Sequence, residues 1–464
     1  MRLFLAAIVC KLLRFVGKLV GKGSSLPGKY ALKICPDLLG RVKLPPSIIA
    51  VTGSNGKTST VEMIAAILRE SGKTVVYNAE GSNQIEGVAT LILANSTLTG
   101  KMRGDVLLLE SDERYAKFTF KWFHPTHFVI TNLYRDQLSR NGHPEWVYDD
   151  IQRAIHPDTT LVLNADDPLV SRFAYDREAQ VEELAERYGL EKPAQPRSDK
   201  KVKWFGLDAL SVSTKEPVGA YDDGARCPVC RGPLTYTAYH YHHIGHYSCP
   251  GCGFHRHEPN FAITDLDLDA GRLTINGDTQ IQLAFRSIYN VYNILAAYSV
   301  CSLVGCSSDT AARVINNYIL KNGRRVTFTL GGHKGTLLTS KHENSVAYDT
   351  NLLYIRESKT PCTVMVIVDA ISRKYFTGET SWLWDVDFDL LNCENVQRVV
   401  LAGRYVEDLA MRFDYTGIPR EKIACYEDIS KAAEALKAQG TEEIFVVTCF
   451  SDRDKLLTLT ERDA

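Results

Sequence analysis

No stretch of this chain reaches the roughly 20 consecutive apolar residues that a helix needs to cross a bilayer. A surplus of charge of either sign is also missing: 54 Lys and Arg stand against 55 Asp and Glu, a net charge of −1. Without excess positive charge to release counterions, the chain is no bulk polyanion binder, and no nucleic-acid partner is expected. The composition of a disordered chain is absent too, since 45% of the 464 residues are hydrophobic and 23% charged. The twelve cysteines build no small disulfide-dense domain. Eight of them (Cys10, Cys35, Cys301, Cys306, Cys362, Cys393, Cys425 and Cys449) are scattered, mostly in apolar runs, as core thiols are in a reducing, cytoplasmic compartment. None pairs with a histidine in the manner of a catalytic nucleophile. At about 150 residues per domain, the length allows about three domains, each able to bury a core.

Acid is missing from the first 36 residues, which hold Arg2, Lys11, Arg14, Lys18, Lys22, Lys29 and Lys33. Ile8, Leu12, Phe15 and Leu19 recur at helical spacing, with Lys11, Arg14, Lys18 and Lys22 along a neighbouring face. The basic residues interrupt the apolar run and no cleavage site follows, so a secretory signal does not fit. Residues 1–46 form a basic amphipathic lead-in with two readings. One is a helix docked on its own domain with its basic face in water, the usual arrangement. The other is a peripheral contact with an anionic membrane surface.

Ser47-Ile48-Ile49-Ala50-Val51 predicts a buried strand, followed by Thr52-Gly53-Ser54-Asn55-Gly56-Lys57-Thr58 and a helix over 59–68. Strand, glycine-rich turn and helix form a phosphate cradle. Gly53 and Gly56 let backbone N–H groups approach, and the helix start adds its positive dipole end. Lys57 supplies a point charge and Thr58 a hydroxyl for Mg²⁺. The spacing is GxxGKT, shorter than the full GxxxxGKT signature, and a plain strand-to-helix turn is the competing reading. Asp105-Val106-Leu107-Leu108-Leu109 predicts a second buried strand, ending in Glu110-Ser111-Asp112-Glu113. An acid at the exit of a neighbouring parallel strand is where Mg²⁺ is held. Further strands end in Thr131-Asn132 and in Asn164-Ala165-Asp166-Asp167. Strands alternating with helices, with polar exits, predict a doubly wound α/β sheet.

Cys227-Pro-Val-Cys230 and Cys249-Pro-Gly-Cys252 are separated by eighteen residues, the spacing of a zinc ribbon at about 224–258. Four thiolates close a tetrahedral shell and leave no open position, which makes a structural Zn²⁺ site. A pair of redox-active CxxC motifs is the alternative. His240, His242, His243, His246, His255 and His257 lie nearby; with the sulfur shell complete they are expected in an exposed hairpin rather than on the metal. Residues 176–203 are charged and contain Pro193 and Pro196, which predicts a surface helix and a connector.

Together these motifs resemble those of Mur ligases and folylpolyglutamate synthases, as does Asn290-Val291-Tyr292-Asn293 at the head of an alanine-rich helix. Within that superfamily, four further features resemble the MurT family of lipid II isoglutaminyl synthase subunits. They are Ser25-Leu26-Pro27-Gly28-Lys29, Thr131-Asn132-Leu133-Tyr134-Arg135-Asp136-Gln137-Leu138, the four-cysteine insert, and Ser381-Trp382-Leu383-Trp384-Asp385-Val386-Asp387-Phe388. The resemblance implies a Mur-ligase-like ATP-binding domain at 47–322 carrying the ribbon, and a C-terminal α/β domain at 323–464. The boundary falls at Asn322-Gly323-Arg324, and strands are predicted at 363–368, 398–402 and 444–448. It implies ATP on Gly53, Ser54, Asn55, Gly56, Lys57, Thr58, Ser59, Asn293 and Arg324, with Mg²⁺ on Thr58 and Glu110.

The activity implied is ATP-dependent amidation of the D-glutamate α-carboxylate of lipid II to D-isoglutamine, through an acyl phosphate. A GatD-type glutaminase subunit would supply ammonia in a heterodimer, at the inner face of the plasma membrane. The sequence departs from the family in three places. Val326 stands where a Glu is usual, and Ser340-Lys341-His342-Glu343-Asn344 replaces a Lys-Asn-Pro segment. The Asp-Asn-Ala-Ala-Asp-Gly-type loop, which holds an Asp implied to be catalytic, reads Asp369-Ala370-Ile371-Ser372-Arg373-Lys374-Tyr375. Asp369 is the catalytic candidate, with Asp349 and Asp385 behind it; a helix-capping Asp is the competing reading. A stand-alone amino-acid ligase of the Mur or folylpolyglutamate type, and a zinc-ribbon scaffold with a degenerate nucleotide site, are the alternative functions.

Overall fold

Ile48 to Val51 are apolar without interruption, a pattern that suits a strand covered on both faces. The computed structural model describes residues 1–19, 23–78, 82–175, 201–217, 219–283, 287–318, 325–370, 378–439 and 441–461. In it the run lies in β1 (Ser47–Thr52), flanked on one side by β3 (Val106–Glu110) and β2 (Val75–Tyr77). On the other side follow β4 (His127–Ile130), β5 (Thr160–Asn164), β6 (Val202–Leu207) and β9 (Phe261–Asp267). All these strands pair in parallel, and β10 (Arg272–Ile275) and β11 (Thr279–Gln282) finish the edge antiparallel. The order is β11-β10-β9-β6-β5-β4-β1-β3-β2, nine strands in all. The same compact unit holds α1 (Arg2–Leu19), α2 (Leu26–Ile34), α3 (Lys57–Glu70), α4 (Ile85–Ala94) and α5 (Ile288–Leu303). Because β1 lies inside the sheet, the loop that leaves it opens at the C-terminal strand edge, where α/β folds place ligands.

Three expectations are corrected here. The α1 stripe of Ile8, Leu12 and Phe15 is not the docked one. Ala6, Ala7 and Cys10 are fully buried, whereas Leu12 and Phe15 are exposed. The cause is steric: α1 packs on α2 and α4, and small residues let helix backbones come close. Gly28 of α2 shows how tight this region is, since a Cβ there would lie 1.9 Å from the Glu86 carbonyl oxygen. Lys22, and the side chains of Lys18 and Leu19, lie outside the described residues. Second, the hairpin of β7 (Thr235–Tyr241) and β8 (Ile244–Ser248) is not exposed: His240, His242 and His243 are buried. Buried carboxylates lie beside two of them, Asp166 beside His240 and Asp167 beside His243. Third, the connector ends sooner than expected, because Val202 and Lys203 already belong to β6. Its residues 176–200 lie outside the described ones.

A second compact unit comprises Leu320–Ala464 together with Tyr134–His143 and Val218–Tyr221. Its sheet has the order β12-β13-β17-β14-β15-β16, built from β12 (Arg325–Leu330), β13 (His333–Ser340), β14 (Cys362–Ile367), β15 (Val396–Ala402), β16 (Ile423–Tyr426) and β17 (Glu443–Cys449). Only β12 and β13 are antiparallel. α6 (Ser345–Arg356) packs on β13 and β17. Tyr134–His143 is tied to this unit by Asn344 Nδ2, which donates to Asp136 at 2.6 Å, and by Ser139 Oγ, which donates to Glu343 at 2.7 Å.

Candidate active site

The loop after β1 needs two glycines for two reasons. Gly53 and Gly56 have φ of +133° and +84°, which side chains with a Cβ rarely adopt. A Cβ on Gly53 would lie 2.2 Å from Thr131 Oγ1, and one on Gly56 1.9 Å from Asn293 Oδ1. Asn293, on α5, therefore packs directly against the loop. The strand exit after β4 holds the loop's shape: Ser54 N donates to the Asn132 carbonyl at 3.0 Å and Asn55 N to Asn132 Oδ1 at 2.8 Å. Thr131 Oγ1 donates to the Asn55 carbonyl at 2.9 Å. The turn ends at the start of α3, so unsatisfied N–H groups and the helix dipole converge on one point.

Lys57 is buried at the first turn of α3, and its Nζ pairs with Glu113 Oε1 at 2.8 Å. It also donates to the carbonyls of Gly53 and Ser54. Glu113 was missed at the sequence level; the acidic run 110–113 was visible, but nothing in it singled out the residue that reaches the lysine. Glu110 is buried at the exit of β3, paired in register with Val51 of β1. Asn78 fastens its backbone, donating to the Glu110 carbonyl at 3.0 Å and accepting from its N–H at 2.8 Å. Thr58 is exposed on the first turn of α3, and Ser59 beside it is half-buried. A carboxylate and a hydroxyl here are the hard oxygen donors that Mg²⁺ takes. Arg324 lies outside the described residues.

The Asn164-Ala165-Asp166-Asp167 turn proves structural. Asp167 caps the following helix at Leu169 and Val170 and accepts from Leu133 N at 2.9 Å, so it fixes the exit of β4. Asp166 accepts from Arg256 Nε at 2.6 Å, Leu207 N at 2.7 Å and the Tyr292 hydroxyl at 2.7 Å. His240 Nε2 stands 3.9 Å from Asp166 Oδ2, while His240 Nδ1 is within hydrogen-bond reach of Ser213 Oγ and His246 Nε2 of the Leu207 carbonyl. Burial pushes His240 down to about 4 and His242 down to about 3. His243 is held up: burial works downward, and the Asp167 carboxylate outweighs it.

The four cysteines come together as two matching knuckles. Cys227 N donates to the Gly232 carbonyl, and Cys249 N to the Phe254 carbonyl. Arg231 N donates to the Cys227 carbonyl, and Gly253 N to that of Cys249. Arg231 and Gly253, at equivalent places, have φ of 65° and 75°. The Sγ atoms of Cys227 and Cys252 are 3.6 Å apart, and those of Cys230 and Cys249 are 3.4 Å apart. All four lie within 4.8 Å of one another. A tetrahedron with metal–sulfur bonds of about 2.3 Å has edges of about 3.8 Å, so the cluster fits a four-coordinate ion.

In the second unit, Asp369 follows β14 at the C-terminal edge of its sheet. Its Oδ1 accepts from Arg404 N at 2.8 Å, and its Oδ2 pairs with Lys455. Asp452 Oδ2 accepts from both Asp369 N and Ala370 N at 2.9 Å. Burial works against the charge on Lys455, yet Asp369 and Asp452 hold its ammonium above the ordinary lysine range. Residues 371–377 lie outside the described ones. Asp349, on α6, is buried and accepts from Asp387 N at 2.8 Å, and burial holds its carboxyl well above the usual range. Asp385 instead pairs with Arg135 at 2.6 Å.

With this geometry in hand, comparison with known proteins gives a consistent result. Residues 51–217 match the Mur ligase middle domain, and residues 342–452 match the C-terminal region of MurT ligases. The chain is 30% identical to the MurT subunit of the glutamine-hydrolysing lipid II isoglutaminyl synthase of Streptococcus pneumoniae, over 94% of this chain and 92% of that one. Identity to the same subunit of Staphylococcus aureus is 27%, over 93% and 92%. A pseudomurein peptide ligase type C from Methanothermus fervidus has a similar fold, with a TM-score of 0.65 at 20% identity, covering 91% of this chain and 79% of that one.

Proposed function

The chain belongs to the MurT family of lipid II isoglutaminyl synthase subunits, and from that premise we propose that it is the ATP-dependent ligase subunit that amidates lipid II in peptidoglycan synthesis. Its substrate group is the α-carboxylate of D-glutamate in the stem peptide, and its product is D-isoglutamine. The observation that carries this reading is the phosphate cradle: Gly53 and Gly56 at the head of α3, with Lys57 buried beside them.

A carboxylate oxygen attacks the γ-phosphorus of ATP, the bond from that phosphorus to the β–γ bridging oxygen breaks, and ADP leaves. Lys57 and the loop N–H groups hold the charge on the phosphoryl oxygens as it moves. Thr58 and Glu110 would hold Mg²⁺, which would supply further positive charge to the transferring phosphoryl group. Ammonia then attacks the carbonyl carbon of the acyl phosphate, phosphate leaves, and the nitrogen loses a proton. The balance is carboxylate, ATP and ammonia in; amide, ADP and phosphate out.

The ammonia comes from glutamine through a separate GatD-type glutaminase in a heterodimer. Asp369 serves that partner's catalytic group at the contact. Asn293 and Arg324 complete the nucleotide contacts, and Cys227, Cys230, Cys249 and Cys252 hold a structural Zn²⁺ with no open position. The enzyme works in the cytoplasm, at the inner face of the plasma membrane where lipid-linked substrate lies.

The test is an assay of the chain with its glutaminase partner, lipid II, ATP and glutamine. Amidation lowers the mass of the stem peptide by about one unit, ammonium salt replaces glutamine, and Lys57→Ala lowers kcat by about 10²–10³. Coupling of an amino acid without a partner would assign the chain to stand-alone ligases instead. Absence of ATP turnover with Mg²⁺ and the partner present would make it a scaffold.

A further inference from the structure

Helix α1 is apolar on two opposite faces, and the interior of the protein uses only one. Ala6, Ala7 and Cys10 pack inward and are fully buried. Phe4, Leu5, Leu12, Phe15 and Val16 are 48%, 51%, 61%, 72% and 56% exposed. At 3.6 residues per turn these five fall within an arc of about 120° on the far side of the helix. Single exposed apolar residues are ordinary on any protein, but these are not scattered. Of the fifteen large apolar side chains that stand exposed among the described residues, these five and Met1 lie within sixteen residues of chain. A contiguous apolar face of this kind marks a surface that something covers.

Charge identifies the cover. By the same helical turn, Arg2 borders the open face on one side and Lys11 borders it on the other, where its Nζ also donates to the Ala94 carbonyl. Seven basic residues and no acidic ones occupy the first 36 positions. A second copy of this chain would bring like charges against like. An anionic lipid surface satisfies both features at once: the acyl boundary takes the phenylalanines and leucines, and the head groups take the cations. The helix has no apolar run long enough to span. That leaves it in the plane of the interface.

We propose that α1 is a membrane-docking helix that seats Phe4, Leu5, Leu12, Phe15 and Val16 among anionic phospholipids, with Arg2 at the head groups. The docking stands on the exposed face and the charge pattern. It rests on the proposed function only for its purpose, which is to concentrate the enzyme in the plane that holds a lipid-linked substrate.

The experiment is flotation of the full chain, with its glutaminase partner, on vesicles containing no lipid II. One set is phosphatidylcholine alone; the other is an equimolar mixture with phosphatidylglycerol. The chain is expected to float with the anionic vesicles, and less so as salt rises. Leu12→Ser with Phe15→Ser should lower the partition coefficient at least about tenfold. Arg2→Gln should lower it about fivefold on the anionic set and leave the neutral set unchanged. Both variants should keep the parent Tm and the parent ATP turnover in detergent solution. Failure of the parent chain to bind anionic vesicles, or equal binding by Leu12→Ser with Phe15→Ser, overturns the proposal. So does a dimer in sedimentation that the same pair dissolves, which would assign the face to a second copy. A chain that floats but does not amidate lipid II removes the proposed reaction and keeps the docking; the reverse removes the docking alone.

Discussion

Lys57 has a counterion before any nucleotide arrives, and this shapes what single substitutions should do. Lys57 and Glu113 are both buried, and breaking such a pair by removing one partner costs about 3–5 kcal/mol. Glu113→Gln should therefore lower Tm in the absence of nucleotide. Bound ATP gives Lys57 a new anion, so the variant should show a larger ATP-induced rise in Tm than the parent. Differential scanning fluorimetry with and without MgATP checks this, and equal rises would show that phosphate does not replace Glu113. Gly56→Ala should abolish nucleotide binding, because a methyl group at that site would overlap Asn293 at a backbone angle that alanine rarely adopts. Asp369→Asn should still bind ATP but lose amidation, since it removes the charge paired with Lys455. Normal amidation by this variant would return attention to Asp349, whose carboxyl burial holds well above the usual carboxylate range. The strand, glycine turn and helix around Lys57 were legible from residue type and spacing alone. Glu113 was not, because contact between a loop and the next strand's exit depends on how two parallel strands stagger.

Among the elements, the ribbon shows where sequence reasoning works and where it stops. Two CxxC pairs foretell a four-cysteine cluster because their spacing is a local property, and the two knuckles close with the same hydrogen bonds. The hairpin between them reads as polar and solvated from its Tyr-His alternation, yet His240 and His243 are buried beside Asp166 and Asp167. No local rule foretells that carboxylates seventy residues upstream will receive them. Helix α1 misleads in the same way, since its large residues look like the docked stripe while the alanines pack. Strand β6 went unseen beside a charged stretch. The burial of His240 and His242 carries a pH signature. Both have folded pKa values below the ordinary 6.5, so the unfolded chain takes up the proton first. Stability is full above about pH 6.5 and is lost as pH falls toward the folded values, by about 2 kcal/mol per histidine down to about pH 5. Chemical denaturation at about pH 7.5 and about pH 5 should show this loss, and His240→Gln should reduce it. An unchanged slope in the variant would mean that other groups carry the effect.

For the whole molecule, the phosphate loop and Asp369 belong to different compact units, each with its own parallel sheet and its own polar strand exits. The chain interleaves them: Tyr134–His143 leaves the first sheet after β4 and is held in the second unit by Asp136 and Ser139. Asp136→Ala should remove the buried acceptor of Asn344 Nδ2 and cost the second unit about 1–3 kcal/mol, measurable by hydrogen exchange in α6. The division into α/β units was visible from alternating strands and helices, whereas the interleaved segment was not, because it carries no composition break. The central claim is that the phosphate cradle serves to activate a carboxylate. Lipid II carrying isotopically heavy oxygen in the D-glutamate α-carboxylate tests it most directly, using the chain with its glutaminase, ATP and glutamine. An acyl phosphate must pass one of those oxygens to the departing phosphate, so the account predicts heavy inorganic phosphate in equal yield with amidated lipid II; amidation that releases only unlabelled phosphate would contradict it.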